Sequence, residues 1–306
     1  MIDNQPQTPN PKPQITQLKE TDWIEIAIAV LLVLLYAPSI VHWVDGWLNK
    51  SISLEHEYFS HGLIGLPFAA WLAWEKRQKW QNLSSHSHPL GAVIVGLAGA
   101  FYLSGLWDFV NLSLPLMLVG ICLWLKGFSG LRLMGFPLLL VLLATPNDIP
   151  YLIAPYTLPL QSFIAGMAGF ILMLLGVDAT VDGIHLFVGG RVVEVAPHCS
   201  GIKMLFTTLY VALMLLEWRG ILSSRFRTVA FLGSAVFVSV TINIFRNTLL
   251  AFLYGKGLDS AFHWFHEGLG GDLISLVMLI LLIPILLVIE KLSLRSISTN
   301  EPRPLS

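Results

Sequence analysis

The chain has 306 residues, of which 55% are hydrophobic and only 12% charged; its mean hydropathy is +0.71 and its formal net charge −1. A soluble domain carries about 25% charged residues, so this composition excludes an ordinary soluble domain. The charge balance gives no reason to expect nucleic acid, and two cysteines exclude a disulfide framework. A polytopic membrane protein remains. A helix needs roughly 20 apolar residues to cross about 30 Å of hydrocarbon, and runs such as IEIAIAVLLVLLYAPSIV at 24–41 and DLISLVMLILLIPILLVIE at 272–290 meet that length.

Residues 1–22 are polar and proline-rich, and read as a disordered cytoplasmic tail with no cleavable signal, because the first apolar run is long enough to be a true span. Spans are expected over 23–44, 60–75, 89–107, 111–126, 131–146, 199–217, 228–250 and 270–290. Residues 23–292 then form one transmembrane domain, and 293–306 a second cytoplasmic tail. Lysine and arginine in short loops mark the inner side. They cluster as Lys76, Arg77 and Lys79, as Lys126 and Arg132, as Arg219, Arg225 and Arg227, and as Lys291, Arg295 and Arg303. The alternate loops carry one each, at Lys50, Arg191 and Lys256.

One further apolar run, 157–176, decides the topology. As a span it would invert every later loop and put Arg219, Arg225 and Arg227 outside. It is flanked by Pro150, Pro155 and Pro159 and carries Thr157, Gln161 and Ser162 near its start. It is therefore expected to lie as a helix in the outer interface. Segment 181–196, VDGIHLFVGGRVVEVA, differs from its surroundings: two β-rich runs, 184–188 and 191–195, flank Gly189-Gly190 and predict a tight hairpin. The expected fold is thus an all-α polytopic membrane protein of about eight transmembrane helices. It has one outer interfacial helix, a short β-hairpin ahead of Cys199, and both termini in the cytoplasm.

Cys199 follows Pro197 and opens the sixth span in PHCSGIK. Unpaired N–H groups and the positive dipole end of a helix favour the thiolate, the nucleophilic form. The bland alternative is a small residue at a helix start. Cys122, mid-span in VGICLWL, shows that alternative and is given no role. The seventh span contains SVTINIFRNTLL, where Ser239, Asn243, Arg246 and Asn247 share one helix face. An arginine at the bilayer centre costs about 2.5–3.5 kcal/mol and normally faces the bundle interior; snorkelling to the interface is the simpler account, and the two asparagines weigh against it. The loop before the last span reads AFHWFHEGLGGDLIS, with His263, His266 and Glu267 near the outer face and Asp272 and Ser275 continuing a polar stripe. Histidine is the usual general acid or base near neutral pH. An interfacial histidine beside Trp264 and a metal reading of His263, His266 and Glu267 are the alternatives; no metal or cofactor is expected. By this topology Cys199, Arg246 and His266 emerge at one face. A thiol, an imidazole and a guanidinium are the parts of a sortase-like cysteine transpeptidase: nucleophile, acid–base group and oxyanion stabiliser.

CSGIK at a helix start, NIFRN in the next span and FHEGLGG before the last resemble the exosortase/archaeosortase family, over most of residues 55–290. Within it the pattern resembles the cyanobacterial branch, the cyanoexosortases of type B. The resemblance implies a membrane-embedded cysteine protease or transpeptidase in the plasma (inner) membrane, with its site facing the outer, periplasmic side. Its partners would be exported proteins ending in a Pro-Glu-Pro-like (PEP-CTERM) motif, a hydrophobic helix and a basic tail, besides membrane lipid. Position by position, Cys199 matches the family nucleophile, Arg246 the family arginine and His266 the family histidine. His266 is preferred to His263 because Gly270 follows it by about one turn. Lys203 stands where the family has Arg or Lys; Asn243, Asn247, Glu267 and His263 are possible supporting residues.

Three rivals are weaker, the third being a scaffold or assembly subunit. GFSG at 127–130 resembles the serine motif of rhomboid proteases, but Ser129 lies between Lys126 and Arg132 in an inner turn. A transporter would use Lys203, Arg246 and Asp272 as intramembrane charges, but no internal repeat is visible.

Overall fold

The computed structural model describes residues 20–49, 58–84, 86–196, 201–266 and 268–298. The expectations for the two tails concern residues largely outside this set. Each apolar run forms a helix. α1 (Glu20–Leu48) carries the first, and the chain divides within it, after His42, into two compact units. α2 (Gly62–Glu75) and α4 (Pro89–Leu103) carry the next two, with the short α3 (Arg77–Asn82) between them. α5 (Trp107–Ala144) covers the fourth and fifth runs in 38 residues. It is two helices joined at Gly127, where φ is 60° and ψ −155°. A side chain there would meet the His86 carbonyl oxygen, so the change of direction needs a glycine. The GFSG stretch is therefore a helix joint.

The run at 157–176 lies in a longer helical stretch than expected. α6 (Ile149–Ile153), a 3-10 turn (Ala154–Thr157) and α7 (Leu158–Leu174) follow one another. Pro150, Pro155 and Pro159 each sit in the first turn of their element, where a missing N–H costs nothing. They punctuate the stretch without ending it. Among the described residues five helices are long and apolar enough to cross a membrane: Ile26–Leu48, Trp107–Ala144, Ile149–Leu174, Arg225–Gly255 and Leu269–Leu292. α2, α4 and α8 (Ile202–Trp218), with 14, 15 and 17 residues, fall short of the roughly 20 that cross hydrocarbon.

The expected hairpin is a three-stranded antiparallel sheet. β2 (His185–Val188) and β3 (Arg191–Glu194) join at Gly189-Gly190, both at positive φ, as foreseen. β1 (Ala179–Asp182) adds a strand in front, through a turn begun by Gly183 at φ 58°. Leu186 and Val188 point into a core shared with Ile164, Ala168 and Leu172 of α7 and with Ile244 and Ala251 of α9 (Arg225–Gly255). α10 (Asp259–His266) and α11 (Leu269–Ser298) complete the chain. Leu273, Leu276, Ile280 and Ile283 of α11 are exposed, as a lipid-facing surface requires.

Polar contacts sort the loops into two ends. At one end Lys76 pairs with Glu217 at 3.0 Å, Arg219 makes a two-pronged pair with Glu290 at 2.8 and 2.9 Å, and Lys126 Nζ donates to the Leu83 carbonyl at 3.1 Å. α8 rises about 25 Å from that end. At its far end lie Gly201, Asn243 and the α9–α10 corner. Lys76, Lys126 and Arg219, from three of the basic clusters that the sequence places on one side, thus gather at one end, near Ser129. Single-cysteine variants at Phe187 and Ser223, both at exposed positions, should react with a membrane-impermeant thiol reagent from opposite sides of the membrane. Labelling of both from one side would contradict this arrangement.

Candidate active site

The site is built on α9, which packs against α7, α8, α10, α11, β2 and β3. Its polar face is turned inward: Ser239, Asn243 and Asn247 are all buried. Asn247 Nδ2 donates to the Asn243 carbonyl oxygen at 2.9 Å and reaches Asn243 Oδ1 at 3.3 Å. The start of α8 rests on this face. Gly201, its N-cap, has φ +84°, and a Cβ there would come within 2.5 Å of Asn243 Nδ2. Glycine is needed at 201 both for the left-handed backbone and for the close approach.

Less than one turn beyond Asn243, Arg246 Nη2 donates to the carbonyl oxygen of His266 at 3.3 Å. His266 is the last residue of α10. Its carbonyl is one of those a helix end leaves unpaired, and a cation is favoured there. Arg246 Nε is buried and has no hydrogen-bond partner among the described residues. The His266 ring stacks on Phe262, four residues earlier, with centroids 5.2 Å apart and planes 10° apart.

His266, His263 and Phe262 line a pocket of about 380 Å³ with Asn247, Leu250 and Tyr254 of α9 and Val192, Val193 and Glu194 of β3. Arg191 holds the corner between these elements. It pairs with Asp259 at the start of α10, and its guanidinium lies 4.9 Å from the Tyr254 ring centroid. The hairpin turn abuts the end of α9: a Cβ on Gly189 would overlap the Gly255 carbonyl oxygen.

The structure therefore brings Arg246, His266, His263, Asn243 and Asn247 together. Cys199, with His198, and Glu267 lie outside the described residues. Lys203 is half-buried in the first turn of α8, and Asp272 is exposed in the first turn of α11. Four contributors were missed by sequence reasoning: Glu194, Tyr254, Phe262 and the Arg191–Asp259 pair. Only Phe262 had a usable signal, its four-residue spacing from His266. The Arg191–Asp259 contact joins positions 68 apart in the chain, and no local pattern announces it.

The family model described as transmembrane exosortase (Exosortase_EpsH) matches residues 47–283. The chain belongs to the transmembrane exosortase family. That family is in general one of cysteine transpeptidases, which points to a membrane protease or sorting role. The matched span contains every candidate site residue, from Cys199 to Asp272. No curated protein and no solved structure matches the chain.

Gly201→Ala should lower stability by about 1–3 kcal/mol, combining left-handed strain with overpacking. Adding Asn243→Ala should recover the steric part only, leaving the backbone strain. Equal stability of wild type and Gly201→Ala, in thermal unfolding of the detergent-solubilised protein, would contradict the close packing of α8 on α9.

Proposed function

We propose that this protein is a membrane-embedded cysteine protease or transpeptidase. It cleaves the C-terminal sorting signal of exported proteins at the outer face of the inner membrane, with eight spans and both termini cytoplasmic. The observation that carries the reading is the junction of Arg246 with His266 beside a pocket whose other wall is β3. That strand ends five residues before Cys199 in the chain. Family membership and the buried Arg246 Nε, which has no hydrogen-bond partner among the described residues, support it.

In this mechanism the Cys199 thiol gives its proton to His266, and the thiolate attacks the scissile carbonyl. Charge moves onto the carbonyl oxygen, where the Arg246 guanidinium receives it. Collapse of the tetrahedral adduct breaks the C–N bond, and the His266 imidazolium protonates the departing amine. A thioester on Cys199 remains. Water or an amine acceptor then attacks it, His266 takes the proton released, and the thiolate is restored. Asn243 and Asn247 hold the face from which Arg246 projects. Lys203 and Glu267 serve as supporting charges in this reading. In the labelling experiment above, Phe187 is the position on the outer side.

Cys199→Ala should abolish processing while the protein still inserts, and Cys199→Ser should be nearly as inactive. Cys122→Ala should stay active. Arg246→Lys keeps the charge but loses the planar fork, and should lose activity by roughly 10²–10³-fold. His266→Ala should lose about 10²–10⁴-fold. His263→Ala and His198→Ala should be mild. The measurement is the processing rate of one substrate at matched protein level. Full activity in Cys199→Ala would end the reading; a severe His263→Ala beside a mild His266→Ala would move the acid–base role to His263.

A further inference from the structure

β3 has an edge with no partner strand among the described residues, and three of its residues line the pocket. The strand order is β1-β2-β3, so among the described residues β3 is paired on one side only. Its register assigns every main-chain group. Val188 and Arg191 close the two-residue turn, and Val195 N donates to the Ile184 carbonyl at 2.9 Å, in the same phase two pairs further on. Arg191, Val193 and Val195 therefore turn their N–H and C=O groups toward β2. Val192 and Glu194, between them, turn theirs outward. Among the described residues no main-chain hydrogen bond reaches those outward groups. Val192, Val193 and Glu194 form one wall of the pocket, and Phe262, His263 and His266 of α10 form the facing wall.

Resting on the peptidase reading above, we propose that this edge docks the substrate: an extended peptide segment adds to β3 as a fourth strand, between β3 and α10. Two outward N–H and C=O sets two residues apart repeat at about 6.6 Å, the period of an extended chain and not of a helix. A helical segment has already spent its main-chain groups and cannot pair with the edge. A cleavable amide must likewise be presented with its carbonyl free, which an extended segment does and a helix does not. A pocket of about 380 Å³ lies near the lower end of ligand-site volumes, about 300–1,000 Å³, so it holds a short stretch of chain and not a second sheet. Strand addition lets main-chain bonds supply affinity while alternate side chains supply selectivity. The Arg191–Asp259 pair borders the same strand and fixes its distance from α10. Glu194 presents its carboxylate on the exposed face of the sheet, opposite His185, at the end of β3 that leads to Cys199 in the chain.

The test uses the full-length protein in membrane vesicles. Its partner is a reporter ending in a Pro-Glu-Pro motif, a hydrophobic helix and a basic tail. In a Cys199→Ala, Cys122→Ala background, Val192→Cys or Glu194→Cys is paired with a cysteine scan of the reporter ahead of its hydrophobic helix. Disulfide crosslinks should appear at every second reporter position, with the pattern shifted by two residues between 192 and 194. Crosslinks absent at both positions, or formed at consecutive reporter positions without alternation, would overturn the strand proposal. Wild-type cleavage of the same reporter scores the peptidase reading separately. A reporter that is cleaved but never crosslinked at β3 sinks the docking mode alone; one that is neither cleaved nor crosslinked sinks both. With a cleaved reporter, Val192→Pro, which removes one outward donor, should raise KM roughly tenfold. Val192→Ala keeps the donor and should raise it far less; equal effects would also contradict main-chain docking.

Discussion

Lipid offers no hydrogen bonds, so a membrane helix that carries polar side chains must bury them against protein. α9 carries such a face in Ser239, Asn243, Arg246 and Asn247, and the rest of the site follows from covering it. Gly201 brings the start of α8 against Asn243, close enough that no side chain fits between them. The His266 carbonyl brings the end of α10 against Arg246. α7 and the sheet close over the apolar part of the same helix through Ile244 and Ala251. The guanidinium is the most demanding member. At the bilayer centre such a group would cost about 2.5–3.5 kcal/mol, and a hydrogen bond to a charged donor, such as that to the His266 carbonyl, returns about 1.5–3 kcal/mol. Among the described residues its Nε makes no hydrogen bond.

The sheet is held at this end by apolar burial more than by charge. Leu186 and Val188 are fully enclosed, and such side chains contribute about 1.5–3 kcal/mol each where water is the alternative. The Arg191–Asp259 pair is exposed on both sides, and exposed pairs contribute at most about 1 kcal/mol. Burial therefore sets where the sheet lies, and the ion pair trims the gap between β3 and α10. That gap is the pocket. A strand fixed from beneath can offer its outer edge to a substrate without itself having to move.

Much of this was legible in the sequence because lipid imposes long apolar runs. Every predicted run is a helix, and the Gly189-Gly190 turn stands where two β-rich stretches meet. The polar face of α9 was readable from four residues at helical spacing. β1 was not foreseen because four residues, ATVD, carry too short an alternation, although Asp182-Gly183 marks the turn that follows. The proline-flanked run at 157–176 is expected as an interfacial helix; its prolines all fall in first turns, where they are tolerated, and the helical stretch around it begins at Ile149, earlier than its apolar pattern suggests. The pocket was out of reach. Its walls come from a strand and two helices spread over some 75 positions, and only packing brings Glu194, Tyr254 and Phe262 to one place.

The central claim is covalent: Cys199 carries the substrate as a thioester. Tryptic cleavage after Arg191 and Lys203 isolates Cys199 in one peptide, VVEVAPHCSGIK. Mass spectrometry of that peptide, from wild-type protein quenched in acid during reporter processing, is the most direct test. The account predicts a mass increase equal to the acyl fragment of the reporter, located on Cys199 and removed by hydroxylamine. A reporter processed at full rate with this peptide unmodified, or with the adduct on another residue, would contradict it.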